Sequence, residues 1–304
     1  MSSRVKAINL PLVITMLCWG FNFVSMKLVY KQVPPDAVAL VRWIPMWICL
    51  AVWAKWRFGR IWVDKDDLLR CLFVGFLSMG LYMALFLHGL KGTTPSEAAI
   101  LLATVPILTP IFAVLFRQEK ANGWAMVGAV VAFSGVGLLM AGGDQKLHGS
   151  LIANVMVLAS AVVWALSTAI ARPLLGKYPA GLVLTSSLPG ALPLLLVMGT
   201  RAALEVNWGG LEPYVWWNLA QVVFASGVVA FLMYYLGIAQ IGPSAATMYQ
   251  FVVPPLSSLF AYAVFGTVLA PLQWVGFAVV LAGVAFGSYC RAVGTPFRSA
   301  PRGA

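Results

Sequence analysis

Apolar runs of about 20 residues, separated by short polar breaks, follow one another along the whole chain. A helix needs about this length to cross the hydrocarbon core of a bilayer, because each residue advances it by about 1.5 Å. Hydrophobic residues make up 61% of the 304 residues and charged residues only 10%, against about 25% charged residues in soluble domains. The alternating pattern of a membrane β-barrel is absent. The sequence therefore predicts an all-α polytopic membrane protein.

Breaks in hydropathy divide the chain into ten transmembrane helices. The predicted spans are 8–29, 36–56, 69–90, 95–116, 122–142, 151–171, 180–200, 214–239, 243–265 and 270–290. With both termini in the cytoplasm, 14 of the 20 Lys and Arg residues fall on the cytoplasmic side, 5 fall outside, and Arg42 lies within a span. Basic residues favour the cytoplasmic side. We therefore expect cytoplasmic N- and C-termini.

The net charge of +11 and the four cysteines exclude several kinds of function. The basic residues lie almost entirely between apolar spans, so they indicate topology rather than a nucleic-acid partner. The cysteines form no CxxC pair or Cys/His cluster, which argues against a disulfide framework and a zinc site. An intramembrane enzyme would need a constellation such as HExxH or paired aspartates, and the spans contain none. We expect no enzyme activity, metal or cofactor.

The second half of the chain repeats the first. A shift of 148 residues aligns 95–137 with 243–285 without a gap, and the matching pairs include two prolines and two glycines. The repeats are residues 1–143 and 150–291, each with five spans. Five is odd, so the halves cross the membrane in opposite directions. Inverted repeats are typical of transporters that work by alternating access. A purely structural scaffold would leave this repeat unexplained.

Several motifs resemble those of one transporter family. They are WGFNFVSMKLV, the P-x-x-x-A-x-x-R-W that ends at Trp43, EAAILLATVPILTPIFAVLFRQE, and the two glycines seven residues apart in span 5. In their order, and over essentially the whole chain, they resemble the EamA branch of the drug/metabolite transporter superfamily. The resemblance implies a bacterial inner-membrane exporter, most like those for aromatic and other neutral amino acids. One departure is Thr267, which occupies the repeat position of Glu119 in the family's acidic turn.

Prolines interrupt two spans at related places. Pro106 and Pro110 lie in span 4, and Pro254 and Pro255 lie in span 9. Inverted-repeat carriers often bind substrate beside broken helices near the bilayer midplane. We interpret the four prolines as hinges. The alternative is that they only kink the helices for packing, because proline is common in membrane helices.

A group of aromatic, polar and methionine side chains in the middle of the spans predicts the substrate site. Tryptophan usually lies at the membrane interface, so a mid-span indole needs a partner or a water-filled cavity. Methionine and aromatic side chains would suit a tolerant pocket. The alternatives are core packing and hydrogen bonds between helices. The predicted binding residues, in a cavity between spans 1, 3, 4, 6, 8 and 9, are Trp19, Asn22, Met79, Tyr82, Met83, Trp164, Ser167, Tyr234, Tyr249 and Gln250.

The distribution of charged groups within the spans limits the substrate class. Arg42 either extends to the outer interface or has a gate or charge role, such as pairing with a substrate carboxylate. His88 lies near the outer end of span 3, where a gate or surface role is expected rather than a proton relay. No Asp or Glu occupies the centre of a span, which disfavours proton coupling and organic-cation efflux. We also expect no inward-facing Lys/Arg cluster, which a sugar-phosphate or nucleotide-sugar exchanger would need.

Together these features predict an exporter of small neutral or zwitterionic metabolites, amino acids including aromatic ones among them. The alternative is a broader drug/metabolite efflux carrier with proton coupling. The expected partners are a small-molecule substrate and the lipid bilayer, without nucleic acid. The sequence leaves open whether the protein is a monomer or a homodimer.

Overall fold

The computed structural model describes residues 8–93, 95–142, 150–266 and 269–293. Within these residues ten helices are long and apolar enough to cross a membrane. They are α1 (Leu10–Val29), α2 (Pro35–Phe58), α3 (Lys65–Leu90), α4 (Ala98–Leu115), α5 (Gly123–Ala141), α6 (Leu151–Lys177), α7 (Ala180–Glu205), α8 (Pro213–Ile241), α9 (Pro243–Phe265) and α10 (Pro271–Arg291). The predicted all-α fold with ten spans is confirmed. Thr267 lies outside the described residues.

Side-chain caps and glycines set several helix ends. Asn9, Asn122 and Ser150 each accept a hydrogen bond from the backbone N–H three residues later, at 3.2, 3.0 and 3.2 Å. These contacts satisfy donors that have no partner in the first turn of a helix. At the end of α2, Gly59 has φ of +72°, a left-handed conformation that glycine adopts without steric strain. Caps and glycines of this kind define helix ends locally, which is compatible with short connections between the helices.

Two helices contain wide turns at corresponding places. Phe76–Leu81 in α3 and Gln221–Val229 in α8 are π-helical. Adding the repeat shift of 148 to 76–81 gives 224–229, so the two segments overlap in the repeat register. A π-helical turn is rare and occurs often at functional sites.

Helices α4 and α9 are also interrupted at corresponding places. The span α4 begins within the helical segment Pro95–Leu102 and continues as Val105–Leu115 after a turn at residues 103–104. The second has a 3₁₀ segment, Tyr249–Val252, before Val253–Phe265. Pro106 and Pro254 lie in the first turn of each second segment, where a missing backbone N–H costs little. The breaks therefore have a local cause, and hinge motion at them stays a prediction.

Helices α5 and α10 cross through glycines. A Cβ added to Gly135 would lie 2.6 Å from the backbone nitrogen of Val280, and one added to Gly283 would lie 2.4 Å from that of Ala132. Small residues allow helix backbones this close in membranes. In the repeat register Gly135 corresponds to Gly283 and Val280 to Ala132, so the repeat exchanges the two contacts. Other packed pairs do the same, since α1 packs on α9 as α6 packs on α4.

Candidate functional site

A cavity of about 1110 Å³ lies between the two halves of the bundle. All six predicted spans contribute to its wall, and α2, α5 and α10 contribute as well. Its lining includes Lys31 after the end of α1, Leu90 at the end of α3 and Gln273 near the start of α10. It therefore opens on the face opposite the start of α1. We call that face the open face and the other the terminal face.

Five aromatic side chains close the inner end of the cavity. Trp19 and Trp164 meet edge to face, with ring centroids 5.8 Å apart, and Phe231 and Tyr234 pack against both. Tyr82 lies 5.1 Å from Trp164, measured between ring centroids. Such geometries favour contact between the negative face of one ring and the positive edge of another. We call Trp19, Tyr82, Trp164, Phe231 and Tyr234 the aromatic floor.

Hydrogen bonds hold the aromatic floor in place. Trp19 Nε1 donates to the backbone oxygen of Ser226, at 3.2 Å, within the π-helical segment of α8. Gln250 Nε2 donates to the hydroxyl of Tyr234 at 2.8 Å, and Thr168 Oγ1 lies 3.3 Å from the same hydroxyl. Buried indole and phenol groups need such partners. The floor is thus fixed by contacts from α6, α8 and α9.

Ten of the sixteen predicted site residues line the cavity. They are Trp19, Asn22, Arg42, Met79, Tyr82, Met83, Pro106, Trp164, Gln250 and Pro254. Asn22 Oδ1 is buried and has no hydrogen-bond partner in the part of the chain that the structure describes. An unpaired amide oxygen at this depth can accept a hydrogen bond from a bound molecule.

The other predicted residues do not line the cavity. Tyr234 is buried beneath it, and Ser167 Oγ donates to the backbone oxygen of Trp164 in its own helix, at 2.8 Å. The hydroxyl of Tyr249 accepts from the backbone N–H of Asn9 near the terminal face. His88 is exposed, with Nδ1 2.9 Å from the oxygen of Ala84. Pro110 and Pro255 are buried in α4 and α9 and do not line the cavity.

The structure also brings in residues that the sequence pattern did not predict. Phe231, Ser226, Ser257 and Ser258 line the cavity. Their position two and three residues after Pro255 was a signal for Ser257 and Ser258, because substrate sites of such carriers often lie beside broken helices.

The expectation that no basic cluster faces inward is wrong. Lys27, Lys31 and Arg42 all line the cavity. The end of α1 forms part of the mouth, so lysines that the charge pattern assigned only to topology face the cavity instead. Lys27 Nζ lies 4.6 Å from the centroid of the Phe265 ring in α9.

The terminal face is closed by contacts between the halves. Asn9 Nδ2 donates to Gln240 Oε1 at 2.8 Å. Arg291, at the end of α10, forms an ion pair with Glu119, which follows the end of α4. Its guanidinium nitrogen lies 2.9 Å from Glu119 Oε2. Glu119 Oε1 also lies 3.4 Å from the backbone nitrogen of Ser244 at the start of α9. One carboxylate thus joins α4, α9 and α10.

Comparisons with known proteins agree with this architecture. Relatives include an uncharacterized transporter of Archaeoglobus fulgidus, 22% identical over 84% of this chain and 88% of its own. A probable terminal-alkyne amino-acid exporter of Streptantibioticus cattleyicolor is 25% identical over 90% of both chains. The inner membrane transporter YedA of Escherichia coli, itself uncharacterized, is 24% identical over 90% of this chain and 89% of its own.

A solved crystal structure has the same fold, with a TM-score of 0.77 at 15% sequence identity, over 95% of this chain and 98% of that one. The EamA-like transporter family matches residues 7–141 and 151–289. These two segments contain all ten helices except the last residues of α10. The ten-helix chain with its central cavity is therefore a membrane transporter that belongs to the EamA-like transporter family.

Proposed function

We propose that this transporter exports small neutral or zwitterionic metabolites, amino acids including aromatic ones, by alternating access. The observation that carries the proposal is the aromatic floor at the inner end of a cavity open to one side. Flat rings and the thioethers of Met79 and Met83 offer apolar contact to an aromatic or aliphatic side chain. Asn22 and Gln250 offer polar atoms to its backbone groups. The name of the Streptantibioticus cattleyicolor exporter supports an amino-acid substrate.

Alternating access is supported by the pairing of unusual features in the two halves. The π-helical turns of α3 and α8 and the breaks in α4 and α9 occupy corresponding positions. If the repeats are inverted, exchanging their conformations closes the open face and opens the terminal face. The hinges in this scheme are Pro106, Pro110, Pro254 and Pro255. The cytoplasmic placement of the terminal face follows from the distribution of basic residues, which makes the present conformation outward-open.

The second candidate is broader drug/metabolite efflux with proton coupling. The methionine and aromatic lining favours tolerance of several substrates. Coupling to protons usually needs a carboxylate within the spans, and no Asp or Glu is among the described residues of the cavity wall. We therefore place facilitated amino-acid export first.

Efflux from proteoliposomes tests the proposal. Vesicles with purified protein are loaded with radiolabelled phenylalanine, tryptophan, leucine or alanine, and efflux is measured with and without a pH gradient. We expect saturable efflux of aromatic and aliphatic amino acids that does not depend on the gradient. Trp217→Ala is the matched control for variants of the floor, because Trp217 is 78% exposed on the outer surface of α8. Absence of efflux for every neutral amino acid would contradict the substrate class, and strict dependence on the gradient would favour the second candidate.

A further inference from the structure

Arg42 is a buried cation that lines the cavity, and no carboxylate among the described residues pairs with it. The residue is 7% exposed and lines the cavity. In the part of the chain that the structure describes, its guanidinium forms no ion pair and no hydrogen bond. Arg291, by contrast, is paired with Glu119. The donors of Arg42 therefore lack a partner in the described protein and lie on the wall of the cavity, where they can bind an acceptor of another molecule.

The carboxylate nearest to Arg42 in the sequence already has another partner. Asp36 lies six residues earlier in α2, and its Oδ2 is 2.9 Å from Lys91 Nζ. The groups in electrostatic range of Arg42 include the phenols of Tyr30 and Tyr82, which line the same cavity. Neutral phenols solvate a guanidinium but do not neutralise it. The positive charge of Arg42 is therefore left available to a molecule in the cavity.

The other charged residues that the structure describes on the cavity wall have the same sign as Arg42. Lys27 and Lys31 line the mouth, and the described residues of the wall include no Asp or Glu. A cleft lined by one sign of charge concentrates ligands of the opposite sign and repels ligands of the same sign. The wall therefore favours a molecule that presents an anionic group to it and disfavours a purely cationic one.

An apolar surface connects the surroundings of Arg42 with the aromatic floor. Tyr82 is within electrostatic range of Arg42, and its ring lies 5.1 Å from Trp164 and 5.8 Å from Phe86, between centroids. A molecule with a carboxylate at one end and a ring or alkyl group at the other can therefore contact both regions. A guanidinium suits the anionic end, because its planar donors form two parallel hydrogen bonds to a carboxylate.

We propose that Arg42 binds the carboxylate of the substrate, and that the transported class is monocarboxylates with an apolar or aromatic body. This inference rests on the proposed export function and narrows it. Zwitterionic amino acids belong to the class, whereas their amides and decarboxylated amines do not. Binding does not require the ammonium group of the substrate, so an aromatic carboxylic acid that has no amino group also binds.

A ligand series on the wild-type protein tests the carboxylate directly. Binding of L-phenylalanine, L-phenylalaninamide, phenethylamine and 3-phenylpropionate to detergent-purified protein is followed by tryptophan fluorescence and by calorimetry. We expect both carboxylates to bind, and the amide and the amine to bind at least about tenfold more weakly, as expected for a lost charge-assisted hydrogen bond. Equal binding of all four would overturn the carboxylate site while leaving amino-acid export intact. Binding of the amine alone would overturn both.

Substitutions then assign the effect to Arg42. Arg42→Gln should remove the preference for the two carboxylates over the amide. Arg42→Lys should keep part of that preference, because lysine keeps the positive charge but lacks the planar pair of donors. Arg57→Gln is the matched control, since Arg57 is exposed at the far end of the same helix. Size-exclusion profiles and unfolding temperatures verify folding. An Arg42→Gln protein that folds and still prefers carboxylates would refute the assignment.

Discussion

The two ends of the cavity differ in what joins the halves of the protein. At the terminal face, Glu119 connects the end of α4 to Arg291 of α10 and approaches the start of α9. At the open face, residues from the ends of α1, α3 and α5 line the mouth of the cavity, and two of them are lysines. The same backbone interruption is present in both halves. The difference therefore lies in side chains rather than in helix geometry.

The repeat explains why this difference matters. In the repeat register Glu119 corresponds to Thr267 and Arg291 to Gly143. Both counterparts lie outside the described residues, but neither side chain can form an ion pair. Inverted halves alone would give two equivalent gates of equal energy. In the proposed alternating-access cycle the two gates are the open face and the terminal face, and we infer that the Glu119–Arg291 pair makes them unequal and favours closure at the terminal face.

The largest expected effect comes from the aromatic floor, which separates the two ends. Trp164→Ala removes the ring that contacts Trp19, Tyr82, Phe231 and Tyr234. We expect efflux of a transported amino acid to fall at least about tenfold, with a stability loss of about 3–5 kcal/mol. Efflux is measured per folded protein, beside Trp164→Phe and the control Trp217→Ala. Normal efflux by the alanine variant would place the floor outside the transport path.

A double-mutant cycle on Glu119 and Arg291 measures the terminal gate. Their side chains are only 19% and 14% exposed, so we expect a coupling of about 1–3 kcal/mol for Glu119→Gln and Arg291→Gln. Chemical unfolding in detergent gives the free energies. The control pair is Arg201 and Glu205, 90% and 64% exposed, with an expected coupling below about 0.5 kcal/mol. A coupling energy of Glu119 and Arg291 no larger than that of the control pair would mean that their ion pair does not hold the terminal face closed.

The crossing of α5 and α10 should respond equally to changes in either half. In Gly135→Ala and Gly283→Ala the new methyl group meets backbone atoms of the facing helix. We expect each variant to lose about 1–3 kcal/mol of stability through overpacking. Unfolding of the two variants under identical conditions gives the comparison. If the two stability losses differ by more than the larger of their measurement errors, the two halves are not equivalent at this crossing.

The proline breaks should give the smallest effect. Pro106→Ala and Pro254→Ala restore a backbone N–H in α4 and α9. We expect amino-acid efflux to slow about fivefold while binding is kept, as for a barrier raised by about 1 kcal/mol. Initial rates at saturating substrate, with affinities from fluorescence, separate the two quantities. Pro11→Ala, in the first turn of α1, is the control. Unchanged rates in both variants would leave packing as the role of these prolines.

Composition and periodicity predicted the ten helices, because a bilayer requires long apolar runs. They also predicted much of the cavity wall, since mid-span Trp19, Trp164 and Tyr82 have few acceptable environments. The sequence could not show that Ser167 bonds to its own helix or that Tyr249 contacts Asn9. Such outcomes depend on helix rotation, which one sequence leaves unspecified.

The basic lining was missed for a similar reason. Lys27 and Lys31 follow the pattern of interfacial residues, and only the structure shows that they line the cavity. Phe231 was missed because mid-span phenylalanine is ordinary in a membrane helix. Its place in the floor depends on the packing of α8 against α1 and α6.

Accessibility of one residue at each gate tests the proposed inequality of the gates. Ser258→Cys in the cavity wall and Ser244→Cys beside Glu119 are made in a background with Cys18, Cys49, Cys71 and Cys290 replaced by serine. A membrane-impermeant maleimide is added to vesicles of either orientation, with Glu119 or with Glu119→Gln. With Glu119 intact, Ser258→Cys should react from the open face, and Ser244→Cys should be protected from the terminal face. Glu119→Gln should expose Ser244→Cys and slow the reaction of Ser258→Cys, whereas unchanged rates at both positions would contradict a gate held by Glu119.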